Sequence, residues 1–308
     1  MQSKDKNIYS VIDIGTNTCL LLTAKLQDKT LTEIYESQEI PRLGKDLYRT
    51  GMIPPESFQN VLKIFNKYKT VSKEHGSEKI FAFGTSAMRD AENSNEFIDF
   101  IENGTGIRIR IINGEEEAKY SFEGAVFDLD TRKEYAVLDI GGGSTEICYK
   151  DKGNIYSMSF DIGAVRLFED ILKKEINSDI LESLKISIRN KLNTADLKTG
   201  KRDLVGVAGT ITTLSAIKNG LKKFDEQVIH KDILHITEIN DIFKKMITMS
   251  AEERADLGEF MIGRSDIIIP GILILTETMK YLNAEQITVS SKGLRYGLFL
   301  NISDFNNS

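Results

Sequence analysis

Two places in the sequence end an apolar, β-branched run with aspartate and follow it with glycine and small polar residues. They are Asp13-Ile14-Gly15-Thr16-Asn17 and Asp139-Ile140-Gly141-Gly142-Gly143-Ser144-Thr145-Glu146. A strand that ends in Asp and turns on Gly can aim backbone N–H groups at a phosphate, because glycine lets the backbone come close. The carboxylate at the strand end can hold Mg²⁺ directly or through water. Alone, the first turn says little, since many hairpins carry Asp-Ile-Gly. The second is stronger, because three consecutive glycines weaken a sheet and a plain turn needs at most two. A phosphate or nucleotide loop is the better reading there.

Three further stretches carry candidate chemistry. Gly206-Val-Ala-Gly209-Thr210 ends a strand and opens a helix, whose free amides and dipole suit an anion; an ordinary helix start with a Thr cap explains it equally well by itself. Gly84-Thr85-Ser86-Ala-Met-Arg89 sets small residues and hydroxyls at a strand end and then an arginine, a bidentate partner for phosphate oxygens; a capped helix with a solvated arginine is the plain alternative. Asn113-Gly114-Glu115-Glu116-Glu117 opens a helix with three carboxylates. Acidic residues in a first turn favour the helix dipole, which accounts for two of them, while a third could activate water as a general base. The pattern does not say which.

The elements that position these residues repeat. Tyr9–Thr18 aligns with Tyr135–Ser144 at a constant offset of 126 positions, Asp13 matching Asp139. Strands are expected near 8–14, 19–26 and 31–37, a helix over 55–75 with Pro54-Pro55 at its start, a strand at 79–83, a helix near 89–103, a strand at 107–112 and a helix from about 115. The second half repeats the order: strands near 134–140, 144–150 and 154–160, helices over 163–194, a strand at 203–208, a helix from Thr210, further helices, a strand at 286–290 and a last helix from Lys292. The order βββαβαβα thus occurs twice. The fold class expected is α/β, two mixed sheets with helices on their faces and a ligand-binding cleft between the halves. The first domain is expected to take 1–127 plus 291–308 and the second 128–290, with hinge motion near 126–134 and 290.

Composition narrows the function. With 308 residues, 41% apolar and a net charge of −6, the chain suits two soluble domains and not a globally basic nucleic-acid binder. The N-terminal MQSKDKNIYS lacks the apolar core of a signal peptide. The longest apolar stretch, Ile267–Leu275, is too short and too broken by Pro270 and Gly271 to cross a bilayer. A cytoplasmic protein with no membrane partner is expected. Cys19 and Cys148 read as buried free thiols, and His75, His230 and His235 as surface or boundary residues. The lysine clusters (Lys173-Lys174, Lys198–Arg202, Lys222-Lys223, Lys244-Lys245) read as solvated faces.

Taken together, these motifs resemble the exopolyphosphatase / guanosine pentaphosphate phosphatase (Ppx/GppA) family, a branch of the superfamily of actin, sugar kinases and heat-shock chaperones. The resemblance spans essentially the whole chain and adds Arg42-Leu-Gly44 with Gly51, Asp90, Gly163-Ala-Val-Arg-Leu167, and Gly293-Leu-Arg295 with Gly297. It implies two ribonuclease H-like (actin-like) domains in tandem and a Mg²⁺-dependent phosphohydrolase, with another divalent cation as the alternative. By position it places the catalytic glutamate on Glu117 and the metal-binding pair on Asp139 and Glu146. It places phosphate contacts on Asp13, Gly15, Thr16, Asn17, Thr85, Ser86, Arg89, Gly141, Gly142, Gly143, Ser144, Thr145, Gly209 and Thr210.

The chain departs from the family in two ways. Longer relatives add helical C-terminal domains, which puts processive degradation of long chains in doubt for this sequence. The family often has Asp and Glu where this chain has Ser291 and Tyr296, a change expected to alter the last helix without abolishing chemistry. The activity expected is release of terminal orthophosphate from inorganic polyphosphate by direct attack of water. Guanosine pentaphosphate (pppGpp) is the alternative substrate. A small-molecule kinase and a non-catalytic polyphosphate- or nucleotide-binding regulator remain as further readings, and the oligomeric state is open, a homodimer included.

Overall fold

The apolar run ahead of each Asp-x-Gly turn becomes a central strand of a mixed sheet. The computed structural model describes residues 7–27, 30–171, 177–195 and 200–306; the expectations for residues 1–6, for Lys173-Lys174 and for Lys198 fall outside them. The chain divides into two units, Met1–Gly124 with Leu294–Ser308, and Ala125–Gly293.

The first unit holds β1 (Ile8–Ile14), β2 (Cys19–Gln27), β3 (Thr30–Glu39), β4 (Lys79–Gly84) and β5 (Ile109–Ile111), in the spatial order β3-β2-β1-β4-β5. The first three strands pair antiparallel, while β4 and β5 run parallel to β1. Val11, Ile12 and Ile14 of β1 are fully buried, which is why this strand reads as a continuous apolar run and not as an alternation. The edge strand β3 is largely exposed and carries Glu33, Glu36 and Glu39, charges that discourage pairing with a further strand. The helix Pro55–Glu74 starts with proline at its first position and buries Val61, Phe65 and Tyr68, the 3.6-residue stripe seen in the sequence. The single helix expected near 89–103 is two, Ser86–Asp90 and Ser94–Thr105. Ala91 is extended between them, and Asn93 spends its amide on the backbone of Ile53, accepting its N–H at 2.9 Å and donating to its carbonyl at 3.0 Å.

The second unit holds β6 (Tyr135–Ile140), β7 (Thr145–Asp151), β8 (Asn154–Phe160), β9 (Asp203–Val207), β10 (Ile233–His235) and β11 (Gln286–Val289), in the order β10-β11-β9-β6-β7-β8. Its β6-β7-β8 meander repeats that of the first unit, and β9 and β11 add in parallel. Strand β10 was not expected. It has three residues, too few to show an alternation, and it adds antiparallel to β11. The helical region expected over 163–194 comprises Ala164–Ile171 and Ser178–Leu192. The apolar stretch Ile267–Leu275 lies in the helix Ile268–Tyr281, which is buried from Ile268 to Met279 and forms the centre of this unit's core with Leu138, Ile147, Ile211 and Leu214. Among the described residues no helix is long and apolar enough to cross a membrane.

The last helix begins at Leu294 and joins the first unit. It packs on β1 and β2. Gly297 allows this: a Cβ there would meet the Tyr120 carbonyl oxygen at 1.7 Å, so the helix presses backbone to backbone on Gly114–Val126. Both cysteines are buried, and neither is in a disulfide among the described residues.

Candidate active site

In the first unit the candidate residues gather at the C-terminal ends of the parallel strands. Asp13 sits at the end of β1, opposite Leu20 on β2 and Phe83 on β4. The turn beyond it closes with the Gly15 N–H on the Thr18 carbonyl at 2.9 Å. Its other carbonyls are taken from behind: Thr16 accepts from the Gly44 N–H at 2.7 Å and Asn17 from the Arg42 N–H at 3.2 Å. In a trans peptide the N–H points opposite to the C=O. The amides of Asn17 and Thr18 are therefore directed away from the Arg42–Gly44 segment. Glycine at 44 gives that segment room to lie so close, since a Cβ would fall 2.2 Å from Thr16 Cγ2. Thr85, tied to β1 by its N–H on the Ile14 carbonyl, sets its hydroxyl beside Gly15, while the Ser86 hydroxyl turns to Asp90 Oδ2 at 3.3 Å.

The three glutamates of the Gly114–Val126 helix separate cleanly. Glu115 is exposed. Glu116 closes a reciprocal cap with Asn113, accepting its N–H at 3.0 Å while Asn113 Oδ1 accepts the Glu116 N–H at 2.9 Å. It also pairs with Arg110 at 2.8 Å. Glu117 is 8% exposed, and its Oε2 accepts from Arg89 Nη1 at 2.6 Å. Arg89 is not a solvated arginine, because the same nitrogen also donates to the Ile112 carbonyl at 2.9 Å.

The second unit builds the same turn with more glycine. Gly141 N–H closes on the Ser144 carbonyl at 3.0 Å. The next helix draws every glycine carbonyl towards it: Ala164 N–H donates to Gly141 at 3.0 Å, Val165 and Arg166 N–H to Gly142 at 2.8 and 3.1 Å, and the Arg166 Nε–H to Gly143 at 2.8 Å. The amides of Gly142, Gly143 and Ser144 consequently point the opposite way, a concave row of donors suited to phosphate oxygens. Gly163 lets the helix come this close, since a Cβ there would stand 2.3 Å from the Gly142 carbonyl oxygen.

Asp139 and Glu146 are direct partners across β6 and β7, and Glu146 is in turn opposite Ser159 on β8. Cross-strand partners share a face, so Ser159, Glu146 and Asp139 form one row, in which the Ser159 hydroxyl donates to Glu146 Oε1 at 2.7 Å. Glu146 is 1% exposed, whereas Asp139 is half-buried. Two hard carboxylate donors on one face fit Mg²⁺, a cation held by one or two carboxylates with substrate phosphates and water completing its shell. Thr145 differs from the other candidates. It is fully buried and its hydroxyl donates to the Ile162 carbonyl at 2.6 Å, so the side chain fixes the loop and its hydroxyl proton is spent.

The helix expected from Thr210 starts at Ala208, whose φ is +71°. Gly209 packs under the Arg264 guanidinium, where a Cβ would lie 2.8 Å from Nε. Thr210 faces Gly271 equally closely, its Oγ1 2.4 Å from the position a Cβ would take there. Arg264 is the residue the sequence did not disclose. It is 9% exposed, donates to the Phe260 carbonyl at 3.1 Å, and burial pushes its guanidinium down to about 10. No sequence motif surrounds it; only the small residue at 209 hints that something bulky must fit there.

The two departures at the end of the chain also acquire partners. Tyr296 donates its hydroxyl to Glu36 on β3, and Arg295 binds both oxygens of the same carboxylate at 3.0 Å. Ser291 donates to Glu226 at 2.6 Å. In each case a hydroxyl stands next to a glutamate supplied by another element. A cavity of about 590 Å³ lined by Ile53, Phe58 and Phe100 holds none of the candidate residues.

Residues 22–304 match the Ppx/GppA phosphatase family. The chain belongs to this family. It is 33% identical over 96% of its length to a bifunctional 3-dehydroquinate synthase/phosphatase of Fusobacterium nucleatum, and spans 47%, about half, of that protein. It is 31% identical over 96% of its length to exopolyphosphatase 2 of Mycobacterium tuberculosis, and spans 98% of it. The crystal structure of an exopolyphosphatase from Cytophaga hutchinsonii superposes with a TM-score of 0.88 at 26% identity, covering 97% of this chain and 98% of that one. The two mixed sheets with their antiparallel meanders and parallel additions are thus the framework of a Ppx/GppA-family phosphatase.

Proposed function

We propose that the protein is an exopolyphosphatase that releases terminal orthophosphate from inorganic polyphosphate. The observation that carries this reading is the Glu117 carboxylate: a nearly buried acid at a helix start, held by an arginine, in a unit whose other candidate residues form a phosphate-type turn. The mycobacterial and Cytophaga relatives, matched over nearly their whole lengths, support the choice of substrate class.

Glu117 orients a water molecule and accepts its proton as the water oxygen attacks the terminal phosphorus. The bond from that phosphorus to the bridging oxygen breaks, and the shortened chain leaves on the bridging oxygen. The proton held on Glu117 then passes to a product oxygen and the carboxylate is restored. In the first unit the outward amides of Asn17 and Thr18 hold phosphate oxygens and Arg89 offsets their charge; the second unit offers a set of its own in the amides of Gly142, Gly143 and Ser144 and the helix start at Gly209-Thr210. In the second unit Asp139 and Glu146 are the residues that would hold Mg²⁺, which would supply charge neutralisation to phosphoryl oxygens. Phosphoryl transfer depends on positioning and charge compensation, so no covalent nucleophile is required.

The test is orthophosphate release with Mg²⁺ from short polyphosphate, long polyphosphate and guanosine pentaphosphate, with Glu117→Ala as control. Loss of a general base lowers the rate by about 10²–10⁴, so the variant is expected to fall by that factor while remaining folded. Near-full activity in Glu117→Ala removes Glu117 from the mechanism. Release from the nucleotide alone moves the substrate assignment to the alarmone.

A further inference from the structure

Resting on that reading of the site, we infer that Arg89 gates the base. In the free protein it holds the Glu117 carboxylate, and it surrenders it when a phosphate anion takes the guanidinium instead.

The geometry carries this. Arg89 Nη1 reaches Glu117 Oε2 at 2.6 Å and the Ile112 carbonyl at 2.9 Å. The two side chains are only 21% and 10% exposed, unlike the solvated surface pairs that contribute little. A carboxylate engaged by a guanidinium has its charge offset and its lone pairs partly committed, so it is a poor proton acceptor. The guanidinium, for its part, is a planar fork matched to phosphate oxygens. An arriving phosphate competes with Glu117 for the same group, and it brings more charge and more acceptors. The neighbouring acid cannot take over as the partner of Arg89, since Glu116 is occupied by Asn113 and Arg110. The Ile112 carbonyl gives the arginine a second anchor on the backbone next to β5, so its head can change partners without leaving the site. The base is therefore freed in the presence of the anion it acts on, and shielded otherwise.

The experiment is calorimetric binding of a methylene-bridged, non-hydrolysable polyphosphate to the full chain with Mg²⁺, in four proteins: the natural chain, Glu117→Ala, Arg89→Gln and the double variant. Removing Glu117 releases Arg89 from its partner, so Glu117→Ala is expected to bind about tenfold more tightly, the scale of a charge-assisted hydrogen bond. Any gain from simply deleting a negative charge appears equally in the Arg89→Gln background and is thereby subtracted. The expected result is a gain that requires Arg89. Equal gains in both backgrounds, or none in either, overturn the gate and leave the hydrolase reading standing. Absence of binding in all four, each folded, overturns the hydrolase reading and the gate with it. Arg89→Lys is carried as a second background should the glutamine variant unfold; it too lacks the fork, and the gain must shrink there.

Discussion

The two units place the same kind of turn at the equivalent point of their separate sheets and furnish it differently. In the first, Asp13 lies between Leu20 and Phe83; in the second, Asp139 lies between Glu146 and Val207. The first turn is Gly-Thr-Asn-Thr and the second Gly-Gly-Gly-Ser. One frame thus offers a single carboxylate with side-chain hydroxyls and an amide, and the other a carboxylate pair with bare backbone. A repeated sequence fixes where chemistry can be placed, and the residues across the strand decide which chemistry it is.

The sharpest test of this difference is the metal. Asp139→Asn removes one of two paired carboxylates, so the Mg²⁺ concentration for half-maximal phosphate release is expected to rise about tenfold or more, as for loss of one charged contact. Asp13→Asn, whose cross-strand partner is Leu20, is expected to shift it much less. Equal shifts would show that both turns hold the cation.

The second test concerns what stands behind each turn. A Cβ on Gly163 strikes the backbone of Gly142 at 2.3 Å, whereas one on Gly44 strikes a threonine methyl at 2.2 Å. Backbone cannot move aside as a methyl can. Gly163→Ala is therefore expected to lower unfolding stability by about 1–3 kcal/mol, the range for overpacking, and Gly44→Ala by clearly less. Chemical denaturation of both variants decides it; a reversed order means the second turn is the more pliable one.

Much of this arrangement could be read from residues alone. The β1 and β6 repeat, the meanders and the proline-led helix follow from local periodicity. Other parts could not. The helix break at Ala91 depends on Asn93 reaching Ile53, forty positions away in the chain. Arg42–Gly44 and Gly163–Leu167 were recognisable as motifs, yet their purpose, pulling turn carbonyls backwards, exists only once the chain is folded. Which of Glu115, Glu116 and Glu117 is withdrawn from water depends on Asn113 and Arg110 engaging the middle one. Arg264 lies in no motif, and burial of a single arginine leaves no periodicity; the glycine at 209 is its one trace.

A smaller effect distinguishes the units away from the turns. In the second unit Asp128 meets His230 at 3.0 Å, with Lys231 and Lys292 nearby. Burial pushes its carboxyl up, but the His230 hydrogen bond and the neighbouring cations outweigh this and bring it down to about 2. A group whose folded value is depressed stabilises the fold above its ordinary range and loses that contribution as pH falls through the folded value. Asp128→Asn is thus expected to cost about 1–2 kcal/mol at neutral pH, the gap to the natural chain closing between about pH 4 and 2. Urea titrations across that interval check it; a gap that stays constant removes the charge from the account.

The smallest expected effect lies at the C-terminal ends of β4 and β9, the strands that run parallel to β1 and β6. Register aligns Phe83 with Asp13 and Val207 with Asp139, so Gly84 and Ala208 occupy matching places. Only Ala208 has a positive φ, +71°. A side chain in that region costs about 1–2 kcal/mol, while glycine gives back about 0.5–1 kcal/mol through the unfolded chain. Ala208→Gly is expected to stabilise by roughly 0.5 kcal/mol, the difference of these two terms. Strain of this kind persists where the surroundings enforce it, and here it stands next to Gly209, which packs beneath Arg264. The gain in stability should therefore come with a severalfold loss in phosphate release. A variant that is both steadier and equally active would show that the second unit tolerates the strain without using it, and that the two strand ends differ in sequence but not in purpose.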